Sequence, residues 1–174
     1  MKEKFNAETL TLAFCVALLP PIWAVLAPYI HVSTGAVALI CAGMYVASGN
    51  DRRNAIKLSI GFLLGDLWAC AALFVMYLLQ WNEDLELFLT LFVLGGLAVL
   101  LSALAPGFIS CPAWLCGWAI GLTILSPAGW EGIGSVPFEI AAAMLAGVWY
   151  VGVFLDLVQK KMLKLFRGHS QGRP

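Results

Sequence analysis

The sequence predicts an all-α membrane bundle of six transmembrane helices, and three observations predict it. The 174 residues are 61% hydrophobic and 11% charged, less than half the roughly 25% charge of an ordinary soluble domain. Six apolar segments qualify as crossings of a hydrocarbon core about 30 Å thick. All ten basic residues fall in three clusters: Lys2 and Lys4; Arg52, Arg53 and Lys57; and Lys160, Lys161, Lys164, Arg167 and Arg173. So few charges cannot keep a compact body in water, which excludes an ordinary cytosolic enzyme, a disordered chain and a nucleic-acid binder.

The first span covers residues 8–29. Pro20 and Pro21 stand in its middle and remove two consecutive backbone donors, which frees carbonyls near Val16 and Ala17. In a membrane such carbonyls need protein groups or a wet cavity. The first helix is therefore expected to be broken at Pro20 and Pro21, like the interrupted helices of transporters; a kink fitted to bundle curvature is the other reading. A cleaved signal peptide is set aside, because the run is long, contains the proline pair and has Pro28 after the candidate site. The second to sixth spans are expected at 33–48, 56–79, 86–104, 108–126 and 136–157. Turn or charge signals separate them, at residues 28–31, 48–51, 81–84, 105–107 and 126–129. The connections are short, so residues 1–174 form one membrane domain with a basic tail over about 158–174. Pro112 reads as a helix-start proline. Ser135 and Glu139 read as cap and first-turn acid of the sixth span, and Asp156 with Lys160 as an i, i+4 ion pair.

Orientation follows from charge. Six spans put the amino terminus, the connection after the second span and the carboxyl tail on one side, and all ten basic residues share it. Positively charged short loops stay cytoplasmic, so both termini are expected in the cytoplasm, in a multi-pass inner-membrane protein. Between Lys57 and Lys160 there is no basic residue, and Glu83, Asp84, Glu86, Glu131 and Glu139 collect there. That pattern reads as topology and not as a binding patch. Trp81 and Trp130, with Tyr29 and Tyr77, suit the outer aromatic belt, whereas Trp68, Trp114, Trp118 and Trp149 fall inside spans, where they constrict a pore or simply pack.

Glycines four apart, Gly61 and Gly65 in the third span and Gly117 and Gly121 in the fifth, let helix backbones approach closely. Packing within one chain is preferred over a homo-oligomer interface. Three spans per half would set two halves in opposite orientations, and the third and sixth spans both run from a polar loop into Gly and Trp (Gly65 and Trp68; Gly147 and Trp149). An inverted repeat of three helices is expected on that basis. Cys15, Cys41, Cys70, Cys111 and Cys116 all fall in spans without Cys-x-x-Cys spacing and read as packing thiols. No metal site, disulfide or cofactor is implied.

These features resemble a known group, the YcdZ-like family of small uncharacterised bacterial inner-membrane proteins. The likeness runs from Pro20-Pro-Ile-Trp23 to the sixth span, and is carried by Tyr45-Val-Ala-Ser-Gly-Asn50, Gly61 to Trp68, Ala105-Pro-Gly-Phe-Ile109 and Pro137 to Trp149. The resemblance implies a six-span inner-membrane protein that passes a small solute. It brings no substrate and no functional residues with it.

Asp66 is the chemical anomaly. It stands about ten residues into the third span, near the bilayer midplane, where a charge costs at least about 2.5 kcal/mol. It should face the bundle interior, as a pore-lining or proton-carrying carboxylate or as an acid that ties helices together. At 100° per residue, Ser59, Asp66, Cys70 and Tyr77 share one face. With Trp68, Pro20 and Pro21 they form the expected solute path. Enzyme chemistry is not expected. An aspartyl protease needs Gly-x-Gly-Asp and a second aspartate at equal depth, and Leu63 and the distant Asp156 deny both; neither His31 nor His169 lies in a span to serve a Ser or Cys nucleophile. The absence of Gly-x-x-x-x-Gly-Lys removes ATP-driven pumping by this chain. A channel or facilitator for a small solute ranks first; a proton-coupled transporter using Asp66 and a non-transporting scaffold are the alternatives. The lipid bilayer and a small-molecule solute are the expected partners, a homo-oligomer is left open, and nucleic acid is excluded.

Overall fold

The computed structural model describes residues 7–170, with side chains from Leu10 to Leu165 apart from Glu83. Lys2, Lys4 and Arg173 lie outside the described residues, and so do the side chains of Arg167 and His169. The described residues are mostly helical: α1 (Ala7–Leu26), α2 (Val37–Ala47), α3 (Arg52–Leu79), α4 (Glu83–Leu104), α5 (Cys111–Leu125), α6 (Gly129–Gly132), α7 (Val136–Ala146) and α8 (Leu155–Ser170), the last two joined by a π-helical segment, Gly147–Phe154. Five stretches are long and apolar enough to cross a membrane: Leu10–Ile30, Arg52–Leu79, Asp84–Leu104, Cys111–Gly132 and Val136–Leu165. The protein is an all-helical membrane bundle.

Polar residues start its helices. Asp51 accepts from the Arg53 amide, Asn82 from the Leu85 amide and Ser110 from the Ala113 amide, which gives three helix starts a side-chain cap where lipid offers none. The α3 helix then runs 28 residues, about 42 Å at 1.5 Å per residue. It ends at Gln80 in the left-handed conformation (φ 48°).

Three expectations are corrected. The first helix is not broken at Pro20 and Pro21: α1 continues through both prolines to Leu26, and a 3-10 turn, Ala27–Ile30, follows. Two missing donors cost two hydrogen bonds, whereas unravelling in lipid would orphan every group of the neighbouring turns. The second span is shorter than 33–48. Its helix has 11 residues, about 16 Å, because residues 31–36 are spent in a turn. That turn is pinned twice: the Trp23 indole donates to the Gly35 carbonyl at 3.2 Å, and Ser33 donates from its amide and hydroxyl to Glu139 at 3.1 and 2.7 Å. Ser135, expected as a cap, makes no capping bond; Glu139 is held by Ser33 instead.

The tightest pair is α3 against α5. A Cβ on Gly61 would stand 2.6 Å from the Ser110 carbonyl, and one on Gly117 would stand 2.6 Å from the Phe62 carbonyl. A Cβ on Gly65 would collide with the backbone of Trp114, Gly117 and Trp118, and one on Gly121 would meet the Ala69 side chain at 2.5 Å. Four glycines thus replace the hydrophobic drive that lipid removes with close backbone contact. The α2 helix packs on the π segment in a related way. A Cβ on Gly147 would collide with the Ala38 backbone and the Cys41 side chain, and one on Gly152 would meet the buried Tyr45 ring at 2.8 Å.

The outer helices α1 and α4 are mostly exposed, and each buries one stripe of residues four apart. In α1 the stripe is Thr11, Cys15, Leu19 and Trp23, continued by Ala27 in the 3-10 turn; in α4 it is Glu86, Thr90, Leu94, Ala98 and Ser102, all buried or half-buried. The rest of both helices presents large apolar side chains such as Phe14, Val25, Phe88, Phe92 and Leu100. Those surfaces suit acyl chains and not water.

Candidate functional site

One end of the bundle gathers charge. Asp51, Arg52, Asp156 and Lys160 all act electrostatically on Tyr45, and Lys160 pairs with Asp156 at 2.7 Å. This is the basic end. At the opposite end Glu139 holds Ser33, and the Tyr77 hydroxyl donates to Glu131 at 2.9 Å.

Between the ends, Asp66 lies fourteen residues into a 28-residue helix, about 21 Å from either tip. It is 5% exposed. Its Oδ1 would be 3.4 Å from a Cβ on Gly121, so the carboxyl points into the α3–α5 seam. That oxygen has no hydrogen-bond partner among the described residues. Such an atom forfeits its hydration for nothing, a cost of about 1–3 kcal/mol or more.

The other members of the expected path are dispersed. Ser59 donates to the Ala55 carbonyl at 2.8 Å and accepts from the Trp149 indole at 3.0 Å, so it ties α3 to the π segment. Cys70 follows Asp66 by one turn and is half-buried. Tyr77 is exposed and engaged with Glu131. Trp68 donates to the Leu94 carbonyl at 2.9 Å and packs edge-on against Trp114, with ring centroids 5.2 Å apart; it clamps α3 to α4. Pro20 is buried on α1 and Pro21 is exposed. Shared angular position on α3 therefore does not make one continuous groove, because its face meets three different neighbours along its length.

On α4 and α5 the structure adds buried polar groups that sequence reasoning did not mark as such. Glu86, read only as one of the acids between Lys57 and Lys160, and Thr90, unremarked, are buried at 6% and 4% exposure, and Glu86 Oε1 and Thr90 Oγ1 have no partner among the described residues. The indole nitrogens of Trp114 and Trp118 are equally unpartnered. The Trp118 ring lies against Gly95 of α4. The signal in the sequence was the four-residue spacing of Glu86 and Thr90, which continues through Leu94 to Ser102. It was obscured because Glu86 follows directly on the polar break at residues 81–84.

Two surface cavities flank this region. An apolar groove of about 400 Å³ opens between α2 and α5, lined by residues including Val37, Ile40, Cys116 and Ile120. A cleft of about 290 Å³ at the basic end is lined by residues including Ser48, Asn54, Lys57 and Ser110. Asp66 lines neither of these two cavities.

Residues 13–160 match the family described as Protein of unknown function (DUF1097). The chain belongs to this family. No curated protein and no solved structure matches it. The DUF1097 match runs from within α1 to the start of α8, so it includes Asp66 and the unpartnered Glu86, Thr90, Trp114 and Trp118 atoms.

Proposed function

We propose that this DUF1097 protein passes a small solute across the bacterial inner membrane, as a channel or facilitator, along a route that includes Asp66. The observation that carries the reading is the Asp66 carboxyl itself, buried midway along α3 with an oxygen that no protein group satisfies. A purely structural acid would have its acceptors filled, since an unpartnered buried oxygen costs stability and returns none. The same atom is available to a passing solute or proton.

The architecture supports an inverted repeat. Exchanging the first three spans for the last three maps α3 on α5 onto the sixth span on α2, and α4 on α3 onto α1 on the sixth span; all four contacts occur. The stripes of α1 and α4 match at a constant offset, from Thr11 to Glu86 through Ala27 to Ser102. Solute sites of repeat transporters lie near the bilayer midplane, between the repeats, and Asp66 is at that depth.

A proton-coupled transporter is the second reading, favoured by the titratable nature of the buried Asp66 carboxyl. Purified protein in liposomes separates the two. Asp66→Asn keeps size and removes titration: coupled uptake should be abolished in a proton-coupled carrier, while flux should persist in a passive channel. Asp66→Leu should impair both. If both variants fold and conduct like the parent, Asp66 is not on the route and the scaffold reading gains.

A further inference from the structure

We propose that the cleft at the basic end of the bundle binds a phosphate-type oxyanion, held by Lys57. This site is separate from the Asp66 route and does not depend on it.

The cleft lies where the first two turns of α3 meet the connection between α4 and α5, and its lining includes Ser48, Asn54, Lys57, Pro106, Ser110 and Cys111. Lys57 is the charged member of that lining, is half-buried and has no ion pair among the described residues. Residues 102–112 bring no acid to it, and Asp51, at the head of α3, accepts from the Arg53 amide. A half-buried ammonium forfeits part of its hydration, and no carboxylate answers it here. Asn54 gives one amide hydrogen to the Ser48 carbonyl at 2.8 Å and keeps a second. The Ser110 hydroxyl oxygen accepts from the Ala113 amide, which leaves its own hydrogen to donate. The volume of about 290 Å³ is roughly ten times a water molecule's share of the liquid. Several donors around that much room suit an anion with several oxygens.

The opposite end shows the same position when it is filled. Lys57 precedes Gly65 by eight residues, and Glu139 precedes Gly147 by eight. In the inverted repeat these two occupy one place, and exchange of the halves carries the α1–α2 connection onto the α4–α5 connection. Glu139 reaches the α1–α2 connection and is met there by the Ser33 amide and hydroxyl. Lys57 faces the α4–α5 connection across an open cleft. The charge is reversed, and the protein closes one slot by itself and leaves the other to a ligand.

Depth fits a phosphate at the membrane surface. The α3 helix exceeds the hydrocarbon core by about 12 Å. Lys57 stands five residues after Arg52, about 8 Å from the start of the helix, at the boundary where headgroup phosphates begin. The phosphate of an anionic lipid and that of a free solute present the same oxygens, and basic pockets between membrane helices hold lipid head groups in this way.

The test is thermal unfolding of the full chain in detergent. Inorganic phosphate is titrated against chloride at matched ionic strength, and phosphatidylglycerol in mixed micelles against diacylglycerol of the same chains. A ligand that binds the folded state raises the melting temperature with its concentration. The expected result is a saturable rise with phosphate, with phosphatidylglycerol or with both, absent with chloride and diacylglycerol. Phosphatidylglycerol acting alone makes the ligand a lipid head group, whereas a rise with inorganic phosphate admits a free solute. Lys57→Gln should weaken the binding about tenfold or more, through loss of a charge-assisted hydrogen bond, and Lys57→Arg should retain it. Lys161→Gln, which removes an exposed cation of α8, should bind as the parent does. Cys111 gives a reading that needs no change at Lys57: either probe at its dissociation constant should about halve the rate at which a thiol reagent modifies the Cys111 peptide. No saturable rise with either probe, Lys57→Gln that binds like the parent, or Cys111 modified equally fast with the probe bound overturns the proposal and leaves the Asp66 reading to its own flux test.

Discussion

At the scale of single residues, the molecule separates glycines that hold it together from glycines that do not. Gly65 sits where a Cβ would strike the backbone of Trp114, Gly117 and Trp118, and backbone cannot swing aside as a side chain can. Gly96, on the exposed side of α4, has open space around its own Cβ position. Gly65→Ala should therefore cost about 1–3 kcal/mol or more through overpacking, whereas Gly96→Ala should be neutral or slightly stabilising, since alanine is the better helix former. Thermal unfolding of both variants in detergent checks this. Equal melting temperatures would mean that the α3–α5 seam yields more easily than its geometry states. At Gly121 a Cβ would strike the Ala69 side chain and come into ordinary contact with the Asp66 carboxyl, so this glycine keeps α5 close to α3 beside Asp66.

At the scale of elements, the sequence was legible wherever a polar group met an apolar run. Asp51, Asn82 and Ser110 start α3, α4 and α5 because each offers an oxygen to an amide that lipid would leave bare. What the sequence hid was the effect of neighbours. Angular position put Ser59, Asp66, Cys70 and Tyr77 on one side of α3, but periodicity does not say that Ser59 would meet Trp149 and Tyr77 would meet Glu131. Glu86, at the first position of the expected fourth span, carried no sign of burial, because only three-dimensional packing turns its stripe inward. The π segment left no composition signal, and Gly147 and Gly152 acquire their meaning from Ala38, Cys41 and Tyr45 on another helix. The proline pair marks the opposite case, a strong local signal overruled by the solvent. Since α1 already runs through Pro20 and Pro21, replacing both with Ala restores two backbone donors without creating a new conformation. The double variant should melt no lower than the parent and should keep its liposome flux. A loss of flux there would return the prolines to the route.

At the scale of the whole molecule, charge decides which way the bundle faces. Arg52 and Lys160, more than a hundred residues apart in sequence, both act on Tyr45 and so share one end. Glu131 and Glu139 lie at the other, engaged by Tyr77 and Ser33. Basic residues in short loops resist translocation, so the end that holds Arg52, Arg53 and Lys57 should face the cytoplasm, and the amino terminus and α8 with it. Acids have little effect on orientation, so Glu131 and Glu139 follow the basic residues instead of opposing them. The prediction is checked by placing single cysteines in a variant whose five native cysteines are replaced, at position 52 and at position 82 in the α3–α4 connection. A membrane-impermeant thiol reagent added to intact cells should label position 82 and spare position 52 until the cells are opened. Labelling of position 52 in intact cells would invert the molecule and would place Glu131 and Glu139, with the Tyr77 and Ser33 contacts they make, on the cytoplasmic side.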